Sequence, residues 1–326
     1  MAAVGAVRAD RTGLGGGGDL AGTQGDSRPG RPRAVQGKQN RSRRVPQRVQ
    51  DQEQRAGVQV ASSNFLTDNP ALYEQQFPDP GHVAARFVDD VVRRFGGPDA
   101  GSLLDIGCGT GRDARYWSQR GRDVAGLDSS ERMVEYARRQ CPDGEFVVAD
   151  MRSFALERRF DVITCLDSAL LYCHTNEDLD GFLQLCRAHL VQRGLLVAEM
   201  RNGAFFLGNT ELLDGVRERT VEWDGVGYRS RTTLWIDHAA QLLRRRRIWD
   251  WPGCPEPLDQ RSAWRLLFPL ELRSYLERAG FEVLAVFDEP GPRTDSPWHA
   301  DAPLSEALAG DRLHFVARAC GAGGAV

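Results

Sequence analysis

Lysine is almost absent from this 326-residue chain: Lys38 stands against 41 arginines, a bias that fits G+C-rich coding better than selection for arginine chemistry. Long apolar runs are absent too. No stretch approaches the ~20 apolar residues a spanning helix needs, and residues 1–30 have neither the continuous apolar core nor the cleavage site of a secretory signal. A cytoplasmic protein with no membrane partner is the expectation. The seven cysteines, at 108, 141, 165, 173, 186, 254 and 320, form no CxxC pair or other zinc spacing, and their odd number argues against a fully paired disulfide framework. No metal is expected. Residues 1–60 lack Phe, Trp and Tyr, hold 11 of the 35 glycines and carry 11 basic residues against 5 acidic ones. Such a segment has too little apolar surface to offset the entropy of ordering, so 1–60 reads as a disordered basic Gly/Arg-rich extension. Its surplus of six positive charges, set against −3 for the whole chain, leaves −9 on residues 61–326. An acidic body is poorly suited to holding a phosphate backbone, which argues against a specific nucleic-acid partner.

What is present is a regular alternation. Residues 83–95 space Val83, Phe87, Val91 and Phe95 four apart, which predicts one apolar helical stripe ended by Gly96, Gly97 and Pro98. Strands are then expected at 102–106, 123–127, 145–149, 160–166 and 195–200, with helices at 112–120, 133–140 and 179–190 between them. Short apolar strands alternating with amphipathic helices mark βαβ units, whose strands run parallel and are buried on both faces. After Met200 the pattern changes to β-rich pieces at 220–223, 228–236 and 242–249, read as a small antiparallel insert added to the main sheet. A helix over 269–279, strands over 281–287 and 313–318, and a proline-containing connection over 288–310 complete the chain. The expected fold is α/β: a doubly wound, mostly parallel, Rossmann-like seven-stranded sheet with a small antiparallel β insert.

The strongest local feature is Leu103-Leu104-Asp105-Ile106-Gly107-Cys108-Gly109-Thr110-Gly111-Arg112, which follows a strand and opens a helix, where doubly wound sheets bind their ligands. A dinucleotide fingerprint reads GxGxxG, but Arg112 holds the place of its third glycine, and Asp105 sits just ahead of the loop. An acid there suits an ammonium group better than a pyrophosphate. Asp128 ends the second strand, at the ribose-diol position of this class of sheet, and Asp150, followed by Met151, ends the third. Each acid alone has an ordinary explanation as a turn or helix-capping residue. Together they form a constellation.

These residues resemble the class I S-adenosylmethionine (SAM) dependent methyltransferases, over about residues 64–320. The resemblance implies SAM as cofactor. It places Asp105, Gly107, Cys108, Gly109 and Gly111 around the methionyl part, Asp128 and Ser129 at the ribose, Met133 beside the adenine, Asp150 and Met151 at the adenine edge, and Leu166 on the cofactor's path. It also implies a division into a helical lid (61–100), a SAM-binding core (101–200), a β-rich acceptor-side insert (201–265), a completion of the core sheet (266–320) and a tail (321–326). A narrower likeness, to small-molecule methyltransferases of antibiotic pathways and particularly the deoxyaminosugar N,N-dimethyltransferases, rests on Asp150-Met151-Arg152-Ser153-Phe154, on Arg159 to Cys165 and on the insert. Those enzymes usually carry a Ser-Ser-Ile-Gly-like stretch after the fourth strand, where this chain has Asp167-Ser168-Ala169-Leu170-Leu171-Tyr172-Cys173-His174, a departure that bears on the acceptor.

Methyl transfer from a sulfonium is an in-line displacement, so alignment and exclusion of water matter more than a strong base. Tyr172 and His174, after the fourth strand, and Tyr73, in the lid, are the catalytic candidates, with Asp167 beside them. Glu199 and Arg201 are expected to pair with each other or a neighbour, and Arg244 to Arg247 to form a solvated edge or meet acids within the fold. Trp223, Trp235, Trp249, Trp251 and Trp264 could line an acceptor pocket or a homodimer contact, the insert's own core being the default. The expected function is methylation of a nitrogen, or an oxygen, of a small specialised metabolite. The rivals are a nicotinamide-dependent oxidoreductase, an RNA methyltransferase and a binding module without turnover.

Overall fold

A computed structural model describes residues 64–96, 101–208, 213 and 215–321. The extension over 1–60 and residues 322–326 of the tail lie outside the described residues.

The chain enters through helix α1 (Pro70–Gln76) and α2 (Val83–Arg94). Helix α2 buries Ala84, Phe87, Val88 and Val91, while Val83 is 38% exposed. The expected stripe of every fourth residue is therefore corrected: the contact face is the wider one that a 3.6-residue period produces. The alternating core follows as β1 (Ser102–Ile106), α3 (Arg112–Ser118), β2 (Asp123–Asp128), α4 (Glu131–Gln140), β3 (Glu145–Val148), β4 (Phe160–Cys165), α5 (Asn176–His189) and β5 (Leu190–Arg201). Local chemistry sets the helix starts. The Ser130 hydroxyl accepts from Met133 N at 3.3 Å, and Thr175 and Asp178 close a capping box.

Beyond β5 come a short helix α6 (Gly203–Gly208), the strands β6 (Arg217–Trp223), β7 (Val226–Asp237), β8 (Leu242–Asp250) and β9 (Leu258–Arg265), then α7 (Pro269–Arg278), β10 (Phe281–Phe287) and β11 (Arg312–Ala319). The main sheet has the order β10-β11-β5-β4-β1-β2-β3. All its pairings are parallel except those of β11, which runs antiparallel to both neighbours. The expected α/β sheet of seven strands is what forms. The β-rich insert differs in two respects: it has four strands, ordered β6-β7-β8-β9, and it is a separate antiparallel sheet.

Two apolar layers hold the main sheet. One face buries Phe87, Val91 and Trp117 with Val124 and Val197; the other buries Phe182, Leu183, Leu196, Leu272 and Phe315. Burial of a large apolar side chain stabilises by about 1.5–3 kcal/mol, and a sheet covered on both sides is fixed in register by its residue alternation. That rigidity holds the loops after β1 and β4 at one end of the sheet. Between β1 and β4 the order reverses, since β2 and β3 lie on the far side of β1, and this is the crevice where open α/β sheets take ligands.

Candidate active site

The loop after β1 turns because its glycines accept backbone angles other residues resist: φ is +76°, +53° and +73° at Gly107, Gly109 and Gly111. Space reinforces conformation. A Cβ on Gly107 would come within 2.9 Å of the Ala169 Cβ, and one on Gly111 within 2.7 Å of the Ala137 Cβ. The amides of Gly107 and Cys108 both donate to the Leu127 carbonyl, at 2.8 and 3.0 Å, which ties the loop to the end of β2.

A cleft at this loop is lined by Tyr73, Asp105, the 107–110 segment, Leu166, Asp167, Tyr172 and Arg293, among others. The Asp105 carboxylate accepts a hydrogen bond from Thr164 Oγ1 at 2.8 Å. Burial, with the nearby Asp113 and Asp128 carboxylates adding to it, pushes its pKa up to about 7. A carboxyl held near half-protonation calls for a cation. The Cys108 thiol is pushed well up by burial and by the Asp128 and Asp105 carboxylates, so it is no nucleophile near neutral pH.

Asp128 is buried, and its two oxygens accept from Gly109 N at 3.1 Å and Ser130 N at 2.9 Å. Ser129 beside it is exposed. Asp150 is held by Arg152 through two contacts of 2.9 and 2.6 Å, and that hydrogen bonding draws its pKa down. Met133 packs with Leu72 and Tyr73 from the N-terminal segment, and Met151 lies in the apolar layer with Phe154. Of the expected cofactor residues, then, Asp105, Gly107, Cys108, Gly109 and Leu166 border the cleft, whereas Gly111, Asp128, Ser129, Met133, Asp150 and Met151 do not line it.

The second wall is a charged network. The Tyr73 hydroxyl donates to Asp167 Oδ2 at 3.4 Å. Arg293 reaches Asp167 at 3.3 Å and Glu199 at 2.8 Å; Glu199 also accepts from Asp167 N at 2.9 Å and from Arg312 at 2.8 Å. Burial alone would raise the Glu199 pKa, but Arg312 and Arg293 outweigh it and hold the carboxyl at about 2. Arg201, by contrast, comes no nearer than 4.0 Å to Asp311, and burial beside Arg312 draws it down to about 10. Asp167 and Ser168 adopt φ of +53° and +64°, unusual for residues with a Cβ; such strain persists only where surrounding contacts enforce it.

Of the three catalytic candidates, Tyr73 and Tyr172 line the cleft and His174 does not. His174 Nε2 lies 2.9 Å from the Ala263 carbonyl, so that nitrogen carries the proton and joins the loop to β9; desolvation lowers the ring's pKa. Burial raises the pKa of the Tyr172 phenol. Sequence reasoning missed Arg293, which lies within the stretch read only as a connection. Its importance arises from contacts to residues 94 and 126 positions away, for which there is no local signal. Arg112 was legible only as a departure from the dinucleotide fingerprint; in the fold it donates to the Phe77 carbonyl at 2.6 Å.

Residues 103–194 match the family described as a methyltransferase domain. The chain is 35% identical over 144 residues to a dTDP-3-amino-3,6-dideoxy-alpha-D-glucopyranose N,N-dimethyltransferase of Streptomyces fradiae, an alignment covering 44% of this chain and 56% of that protein. It is 37% identical over 137 residues to a dTDP-3-amino-3,4,6-trideoxy-alpha-D-glucopyranose N,N-dimethyltransferase of Streptomyces venezuelae, covering 41% and 58%. It thus spans a little over half the length of these curated relatives. Among solved structures it is similar to a sugar N-methyltransferase from Streptoalloteichus, with a TM-score of 0.62 at 22% identity over 82% of this chain and 98% of that one. It also resembles a S-adenosylmethionine-dependent methyltransferase from Clostridium acetobutylicum, with a TM-score of 0.60 at 16% identity over 79% and 100%. At such identities the structural likeness establishes the α/β fold.

Proposed function

We propose that this chain is a SAM-dependent methyltransferase acting on a nitrogen of a small specialised metabolite, with an amino sugar as the acceptor class. The observation that carries this reading is Asp105, a carboxyl enclosed beside the glycine loop and titrating near 7, a partner for the ammonium group of an amino-acid-tailed cofactor. The surroundings fit such a molecule. The positive-φ glycines let the loop turn at the cleft, and Asp128, at the end of β2, holds the Gly109 amide of that loop at 3.1 Å. An acid under the loop is a poor neighbour for a diphosphate, which disfavours the nicotinamide reading. The curated relatives support an amino-sugar acceptor.

SAM, when bound, supplies an electrophilic methyl on a sulfonium. The chain's own residues orient the acceptor and keep water away. Asp167, fixed by Arg293 and Tyr73, is placed to accept a hydrogen bond from an amine N–H and so direct its lone pair. Neither Tyr172, whose phenol is raised, nor His174, which lies off the cleft, offers a ready base near neutral pH. The neutral form of an amine attacks unaided and sheds its proton to solvent afterwards, whereas a hydroxyl gains from a base; nitrogen is therefore favoured over oxygen. Incubation with methyl-labelled SAM and a panel of amino sugars, simple amines and phenols tests this: label is expected on amines. Label on phenols alone would overturn the nitrogen assignment, and failure to bind S-adenosylhomocysteine would overturn the whole reading. The reading extends to a cytoplasmic enzyme that forms a homodimer, and sedimentation equilibrium of the intact protein checks the oligomeric state.

A further inference from the structure

Strand β8 carries four consecutive arginines, and the pleat sends them to opposite faces. The two faces are treated differently. Outward, Arg244 meets Asp237 at 2.8 Å and Arg246 meets Asp259 at 2.9 Å. Inward, Arg245 is 1% exposed, and none of its three guanidinium nitrogens has a hydrogen-bond partner among the described residues. Its carbon lies 4.7 Å from the centroid of the Trp264 ring, which supplies cation–π attraction but no acceptor atom.

The register assembles more donors around it. Arg245 faces Leu234 on one side and Ser262 on the other, and Ser262 Oγ is also buried without a partner among the described residues. One row along, Arg217, Thr232, Arg247 and Gln260 lie across the four strands on the same face. Arg247 donates to Thr232 Oγ1 at 2.9 Å, and one Arg217 guanidinium nitrogen is enclosed without a partner among the described residues. Among the described residues no carboxylate acts on Arg245 or Arg247. Burial, with Arg245 and Arg219 adding repulsion, draws Arg247 down to about 9. A buried guanidinium without a counter-ion is unfavourable, so a face with one enclosed guanidinium, Arg245, two half-buried ones, Arg217 and Arg247, and no acid beside them among the described residues is built for an anion it does not itself supply. The face adjoins the cleft: Tyr172 lines the cleft and its ring packs 6.1 Å from that of Trp264.

We propose that the inner face of the small sheet around Arg245, Arg247 and Ser262 is an oxyanion site that seats a phosphate or carboxylate group carried by the acceptor. This rests on the methyltransferase reading, which it deepens: the acceptor is an anion-bearing amine, anchored by the insert on the far side of Tyr172 from the cofactor loop. Three guanidiniums on one face match a group of more than one negative charge.

The test is a titration of the intact protein with sodium pyrophosphate and, separately, disodium succinate, at constant ionic strength, read by tryptophan fluorescence and thermal unfolding. Wild type is expected to respond saturably to at least one of the two, pyrophosphate identifying a phosphate acceptor and succinate a carboxylate one. Arg245→Met is expected to bind that anion at least tenfold more weakly, and to melt at a higher temperature in its absence, because an unpaired buried charge has gone. Should Arg245→Met fail to fold, Arg247→Gln, at a half-buried position, is expected to weaken the anion several-fold. A wild type that responds to neither anion, or variants that respond as wild type does, overturns the proposal. S-adenosylhomocysteine binding measured on the same samples separates the two readings, since it depends on the glycine loop and not on this face.

Discussion

Asp105 is the residue whose ionisation is most open to experiment. Its pKa of about 7 means that much of the protein holds a neutral acid at pH 6 and a carboxylate at pH 8. The carboxylate is the form that pairs with an ammonium group, so affinity for S-adenosylhomocysteine should rise with pH and level off above about 8. The slope should approach a tenfold change per pH unit below 7, since one pKa unit corresponds to about 1.4 kcal/mol. Calorimetric titration at pH 6, 7 and 8 checks this; a flat profile, or one that Asp105→Asn leaves unchanged, argues that the acid does not face the ligand. Asp128 differs in kind. It anchors the amides of Gly109 and Ser130, so Asp128→Ala should lower stability, and cofactor affinity with it because the Gly109 amide belongs to the glycine loop. Each buried amide left without a partner costs about 1–3 kcal/mol, visible as a falling midpoint in chemical denaturation. His174→Ala should likewise show its effect in stability, with the pH profile of turnover unchanged, because the ring's Nε2 serves the Ala263 carbonyl and the side chain does not line the cleft.

At the scale of elements, the strands of the main sheet were legible because each is a short apolar run closed by a turn, and β1 and β10 coincide with the expected residues 102–106 and 281–287. Strand β9 escaped notice since Leu258-Asp259-Gln260-Arg261-Ser262-Ala263-Trp264-Arg265 has no apolar run, and its partner β8 supplies the pairing that makes it a strand. The arginines of β8 were read as a solvated edge or as residues met by acids; for Arg245 the fold corrects this, since its face is enclosed by elements that the strand's own sequence does not announce. Within the site, the loop glycines and Asp105 were legible from spacing, and Arg293 was not. Helix α1 was expected within the lid for Tyr73 alone, and its other contacts had no local signal. Glu74 accepts a hydrogen bond from Thr110, the Phe77 carbonyl accepts from Arg112, and Tyr73 reaches Asp167, so seven residues strap the glycine loop from outside. Hydrogen exchange of 70–77 should therefore slow when S-adenosylhomocysteine binds, and Glu74→Ala should weaken that ligand severalfold by loosening the strap. Exchange unaffected by ligand would place the helix outside the binding event.

For the whole molecule, a ligand that binds only the folded state stabilises it by mass action, about 2.7 kcal/mol at a hundredfold excess over its dissociation constant. For a body of this size each kcal/mol moves the melting temperature by about 2–4 °C, which predicts a rise of about 5–10 °C with saturating S-adenosylhomocysteine. NAD should produce none, because Asp105 lies beneath the loop where a diphosphate would rest. The rise should also grow between pH 6 and 8. Without ligand, Asp105 binds a proton more tightly folded than unfolded, so its contribution to stability falls as pH climbs from about 4 through 7; a bound cation restores the carboxylate to its ordinary range and removes that loss. Burial of His314, held down to about 4, acts in the opposite sense, favouring the folded state as pH rises from 4 to 6.5, but it does so with or without ligand and cancels in the difference. A thermal shift with NAD equal to that with S-adenosylhomocysteine would return the oxidoreductase reading to contention. A shift that fails to grow with pH would leave the fold's assignment standing and remove Asp105 from the cofactor's surroundings.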